Sequence, residues 1–154
     1  MTISINYKNG SPKKNSINLV LFLDEKLNIS NIKKYISGSE YSFISDMIKI
    51  KNPKNKIVSF DISSKRKIIL VSLKKNISSS DLENLGASFY DQFKDLKQNE
   101  YYVNSDSLFS QNKNYLGNFL HGIRLKSYRF EKYKTKKNKK NISIIVTGKN
   151  KPSS

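Results

Sequence analysis

Apolar residues recur along this chain with two periods. In "ISINYK" the residues Ile3, Ile5 and Tyr7 alternate with polar ones, the period-2 mark of a half-buried strand near a sheet edge. "INLVLFL", Ile17–Leu23, is an apolar run interrupted only by Asn18 and too short for a helix, and it reads as a strand buried on both faces. "KIVSFDI" and "KIILVSL" are two more strands, and the tight basic "SSKR" between them predicts an antiparallel hairpin. "EYYVNSD" and "NISIIVTG" are the remaining strands.

The other period is helical. Ile29, Ile32 and Ile36 share one face, with Ser30 placed to cap and Gly38 placed to stop the helix. Glu40–Ile50 predicts a second short helix with Phe43, Met47 and Ile50 on one side, ended by Pro53. "SSSDLENLGASFYDQFKDLK" carries the clearest stripe, Leu82, Leu85, Phe89, Phe93 and Leu96. Ser80 and Glu83 have the spacing of a reciprocal N-terminal cap. Gly86 lies beside this stripe, where glycine is ~1 kcal/mol worse than alanine, and close approach of the helix to a sheet would account for it. From Asn112 the period returns through Leu116, Phe119, Leu120 and Ile123. Beyond it, Tyr128, Phe130 and Tyr133 alternate with charges, as rings covering a sheet edge would, and "KYKTKKNKK" reads as a solvated connector. Helices interleaved with apolar strands predict a three-layer α/β/α sandwich around a mixed, mostly parallel sheet.

Composition changes this picture little. A chain of 154 residues is one domain by size, and the elements place it at 1–148. The absence of cysteine excludes disulfides and cysteine zinc sites and points to a reducing cytoplasm. No apolar run approaches the ~20 residues of a membrane span, so neither export nor a membrane partner is expected. The net charge is +17, from 29 Lys+Arg against 12 Asp+Glu, which favours anionic partners without fixing a fold. Asn, Lys, Ile and Ser crowd the whole sequence, so most of that charge reads as a bias spread over the surface. Lysine also dominates, whereas arginine is the better bidentate ligand for phosphate or guanine.

Candidate chemistry is sparse. None of the six glycines (Gly10, Gly38, Gly86, Gly117, Gly122, Gly148) pairs into the G-x-G or P-loop spacing that lets backbone amides cradle a phosphate. That weighs against a nucleotide or ADP-ribose site. His121 has no second histidine, cysteine or neighbouring carboxylate in sequence, and reads as structural or solvent-facing. Asp24 and Asp61 lie at or near strand ends, where α/β proteins place function, yet turn and cap roles fit them equally. No carboxylate pair, metal spacing or nucleophile elbow is present, so no catalytic or metal-binding residue is assigned. The positive feature is the basic segment. Lys132, Lys134, Lys136, Lys137, Lys139 and Lys140 are the candidate nucleic-acid contacts, interleaved with rings able to stack on bases.

The stretch "FLHGIRLKSYRFEKYKTKK" resembles the segment that ends the N-terminal domain of leucine aminopeptidases, through Gly122, Leu125, Tyr128, Phe130, Tyr133, Lys134, Thr135 and Lys137. "LENLGASFYDQF" is similar to a helix of that domain, and "NKPSS" to its link into the catalytic domain, so 149–154 would begin that linker. The resemblance implies a macro-domain-like fold and a non-catalytic domain that supports a cytosolic exopeptidase. Its partners would be the domain's own catalytic domain and sister subunits of a hexamer. Two divalent metal ions, zinc or manganese, would belong to a catalytic domain that this chain lacks, so it holds no cofactor itself. Some bacterial members of that family also bind DNA. The alternatives are a basic nucleic-acid-binding module and, third, an ADP-ribose- or nucleotide-binding macro-like domain.

Overall fold

In a computed structural model, residues 3–8, 18–51, 53–64, 66–94, 100–107, 115–132 and 142–147 are described. Six strands form one sheet: β1 (Ile3–Lys8), β2 (Asn18–Asp24), β3 (Ile57–Ser63), β4 (Arg66–Leu73), β5 (Glu100–Asn104) and β6 (Ile142–Thr147). Their order is β1-β6-β5-β2-β4-β3, and every pairing is parallel except the β3–β4 hairpin. The expected α/β/α sandwich with a mixed, mostly parallel sheet is therefore present, with the alternating strand β1 at an edge.

β2 explains the layers. Its run Asn18–Leu23 is buried throughout, because both faces of a central parallel strand are covered. Val20 and Phe22 join one core with Leu82, Leu85, Phe89 and Phe93 of α2 (Ser79–Phe93) and Leu116, Phe119, Leu120 and Ile123 of α3 (Tyr115–Lys132). Leu19, Leu21 and Leu23 point the other way. There they meet Ile29 and Ile32 of a 3₁₀ segment, Ile29–Tyr35, and Ile44 of α1 (Gly38–Lys51). Each fully buried aliphatic side chain of this kind is worth roughly 1.5–3 kcal/mol.

Several local expectations are corrected. Ile29–Tyr35 is 3₁₀ rather than α, and its cap is Asn28, whose side chain accepts from the Ser30 amide at 3.1 Å. Gly38 opens α1 instead of stopping the preceding helix. In α1 the buried residue is Ile44, while Phe43 and Ile50 of the expected stripe face solvent. The reciprocal cap sits here and not at Ser80/Glu83. The Glu40 amide donates to Ser37 Oγ at 3.1 Å, and the Ser37 amide donates to Glu40 Oε1 at 2.9 Å. α2 is capped by Ser78, whose Oγ accepts from the Asp81 amide.

Gly86 does mark a close approach, but to a helix. A Cβ there would lie 2.1 Å from the Phe119 carbonyl oxygen of α3, and a Cβ at Gly122 would lie 1.9 Å from the Glu83 carbonyl oxygen of α2. The two helices thus cross backbone to backbone at reciprocal glycines. Tyr128 continues α3 and is 68% exposed, so it covers no sheet edge; the sequence period there was helical beneath the alternation of rings and charges. Tyr133 and the 149–154 segment lie outside the described residues, as does Leu96.

Candidate functional site

Connections from neighbouring strands leave toward opposite faces of the sheet at β2. From β2 the chain runs into the 3₁₀ segment and α1, whereas from β4 and β5 it runs into α2 and α3 on the other face. Divergence of this kind opens a crevice at the carboxyl ends of parallel strands, the place where α/β sheets take ligands. A cleft of about 400 Å³ lies there, lined by Phe22, Leu23, Asp24, Glu25 and Lys26 after β2, by Leu73, Lys74, Lys75 and Asn76 after β4, and by Ser107 and Tyr115 from the β5–α3 side. Its volume falls in the ordinary range for small-ligand sites, about 300–1,000 Å³.

Backbone chemistry holds the crevice open. β2 pairs with β5 only from Asn18 to Val20, and there the strands separate. The orphaned Phe22 amide instead donates to Ser107 Oγ at 3.0 Å, and that hydroxyl donates to the Asn104 carbonyl at 2.7 Å. Ser105 Oγ donates to the Thr147 carbonyl at 2.8 Å, fastening the same turn to the end of β6. Both serines are buried, so their hydroxyls replace ladder bonds that would otherwise be lost.

The two loops that follow β2 and β4 at the cleft hold the only non-glycine residues at positive φ among those described, Leu27 at 56° and Asn76 at 58°. Asparagine accepts that conformation readily, but leucine does not. Leu27 is held by its amide, which donates a hydrogen bond to the Asp24 carbonyl at 3.2 Å, while Asp24 Oδ1 accepts from the Asn28 amide at 3.0 Å. Lys74 Nζ lies 3.4 Å from Asp81 Oδ2, an exposed and therefore weak pair. No ion pair among the described residues holds Lys26 or Lys75. The cleft thus combines an apolar floor, two carboxylates and three lysines.

Of the residues singled out from sequence, Asp24 lies in the cleft. Asp61 does not: it sits on β3 and pairs with Lys67 at 2.5 Å. His121 is exposed on α3. Lys132 is the last residue of α3, while Lys134, Lys136, Lys137, Lys139 and Lys140 lie outside the described residues. Among the described residues no cluster of three or more histidines and carboxylates could hold a metal ion, and no helix is long and apolar enough to cross a membrane. Lys26, Lys74 and Lys75 were missed by sequence reasoning. Their signal was position: each follows directly on the carboxyl end of a buried strand.

No protein-family description matches the chain, and no curated protein matches it by sequence. Solved structures do. The macrodomain of Thermus aquaticus DarG superposes with a TM-score of 0.61 at 9% identity, covering 96% of this chain and 99% of that one. A macrodomain protein from Streptomyces coelicolor superposes with a TM-score of 0.57 at 9% identity, covering 95% and 99%. The fold is macrodomain-like. Neither neighbour ties the chain to the aminopeptidases that the 122–137 segment resembles.

Proposed function

We propose that this domain binds a small nucleotide-type anion, with ADP-ribose as the first candidate, in the cleft at the carboxyl ends of β2 and β4. The cleft itself carries the reading: in a macrodomain-like sheet, the described residues form a ligand-sized crevice at the switch point, with lysines on its rim. Lys26, Lys74 and Lys75 supply the charge for phosphates. Tyr115 offers a ring face, and Asp24 and Glu25 are acceptors for ribose hydroxyls.

The mode of phosphate binding differs from a glycine-loop cradle. The connections after β2, β4 and β5, residues 25–37, 74–78 and 105–114, contain no glycine. Close backbone approach to an anion is therefore replaced by long, solvated lysine side chains. These act as point charges without bidentate geometry, so binding is salt-sensitive and tolerant of which phosphorylated ligand arrives.

Titration calorimetry with ADP-ribose, ADP and ribose 5-phosphate tests this. ADP-ribose should give saturable heat that falls with added salt, and Lys26→Glu/Lys75→Glu should abolish it while the melting temperature holds. Absence of heat with all three ligands at millimolar concentration refutes the reading. Binding that survives the double charge reversal refutes the site.

A further inference from the structure

We infer that the solvent face of α3 is a binding surface for single-stranded nucleic acid, in which Tyr128 stacks on an unpaired base and Arg124 and Arg129 clasp the flanking phosphates. This goes beyond the cleft and stands on a separate observation. The chain has three arginines, Arg66, Arg124 and Arg129, against a large excess of lysine. Arg66 is consumed by structure: it is buried and paired with Glu40 at 2.6 Å. The other two are exposed, and both flank Tyr128 on one helix. A drift toward lysine does not produce that placement, and arginine is the cation that binds phosphate bidentately and stacks on rings.

Exposure supports the same ligand. Tyr128 is 68% exposed, and Leu125, one turn earlier on the same face, is 38% exposed. A tyrosine left this open leaves apolar area in water that a stacked base would cover. Within 115–129 the helix carries no acidic residue. On α2, Asp91 is taken up by Lys94 at 3.3 Å and by Lys126 at 3.4 Å. Glu131, the penultimate residue of α3, is the one acidic residue of the helix. A duplex offers phosphates but no free base faces, so the open ring selects a single strand.

The test is fluorescence anisotropy of the full chain with a labelled 12-nucleotide oligo(dT), the matching oligo(U) and a 12-base-pair duplex across a salt series. Tyr128→Ala should weaken binding of both single strands by about 5- to 150-fold and leave the duplex unchanged, while Tyr128→Phe should bind like the parent. Arg124→Ala/Arg129→Ala should lower the slope of log affinity against log salt by about 1.4, the loss of two single-strand phosphate contacts, and the lysine pair should restore it. Circular dichroism checks that the exposed substitutions leave the fold intact. Equal oligonucleotide affinity for the parent and Tyr128→Ala overturns the inference. So does Tyr128-dependent binding to phosphatidylserine vesicles without Tyr128-dependent binding to oligonucleotides, which would make this face a lipid surface.

Discussion

The crossing of α2 and α3 gives the sharpest stability prediction. Gly86→Ala adds a methyl whose carbon would sit 2.1 Å from a backbone carbonyl oxygen, and Gly122→Ala adds one at 1.9 Å. Neither obstacle is the end of a flexible side chain, so the helices must part by more than an ångström. On an open helix surface the same change would stabilise by ~1 kcal/mol. Here parting the helices loosens the ring cluster beneath them, where Phe89 lies 5.7 Å from Phe119 and 5.4 Å from Tyr101, and Phe22 lies 5.3 Å from Phe119. Overpacking of a tight core costs about 1–3 kcal/mol; with backbone on both sides the cost lies near the top of that range, and less the ~1 kcal/mol helix gain the net destabilisation is about 2 kcal/mol. For a chain of this size that lowers Tm by about 4–8 °C. Both substitutions demand the same separation, so the double variant should lose less than the two single losses together. Urea unfolding followed by circular dichroism reads all three. A rise in midpoint for either single alanine, or strict additivity, would show that the helices do not meet at these glycines.

Four-way contacts around Glu40 give a pH prediction. Burial pushes its carboxyl up, but the Arg66 guanidinium and the Ser37 amide and hydroxyl outweigh burial and hold it below the usual glutamate range. A depressed carboxyl contributes stability above its unfolded value of ~4.3 and loses it as pH falls through the lower folded value. Glu40→Gln should therefore flatten the acid limb of a stability–pH curve, and at pH 7 should lower stability by about 1–3 kcal/mol, because Arg66 keeps its burial without its partner. The Tyr101 hydroxyl is buried and donates to the Phe93 carbonyl at 3.2 Å; burial pushes its ionisation well above the usual tyrosine range. In a spectrophotometric titration it should stay protonated where exposed tyrosines ionise, and Tyr101→Phe should lose about 0.5–1.5 kcal/mol. At Asn76, with φ at 58°, glycine should be tolerated within a few tenths of a kcal/mol, and valine should destabilise by about 1–2 kcal/mol on thermal unfolding.

Legibility followed the strength of the local signal. The strands were read correctly because a run such as Leu19–Leu23 can be buried on both faces only in a covered central position. The α2 stripe was equally plain: Leu82, Leu85, Phe89 and Phe93 are all buried. α1 misled because it has apolar residues all round; Phe43, Ile44, Met47 and Ile50 fit more than one face, and only the sheet decides for Ile44. Cap positions failed by two residues, Asn28 for Ser30 and Ser78 for Ser80, because cap-forming side chains crowd both helix starts and backbone geometry chooses among them. The partner of Gly86 was a helix thirty-odd residues away, a distance no local pattern spans. The cleft was half legible. Asp24 was marked by its place at a strand end, but the convergence of Lys26, Lys74 and Lys75 depends on strand order, and periodicity does not encode order.

α3 connects the two surfaces and also separates them. Tyr115 at its first residue lines the cleft, and Tyr128 lies thirteen positions further on, about 20 Å along the axis at 1.5 Å per residue. The Debye length at physiological ionic strength is ~8 Å, so charge on a bound nucleotide is screened before it reaches Arg124 or Arg129. Mechanical coupling would need α3 to shift against α2, and the glycine crossing leaves no slack for such a slide. Ligands at the two places should therefore bind without competing and without helping one another. A fold held so rigidly at its helix layer presents a cleft and a helix face that succeed or fail as separate sites.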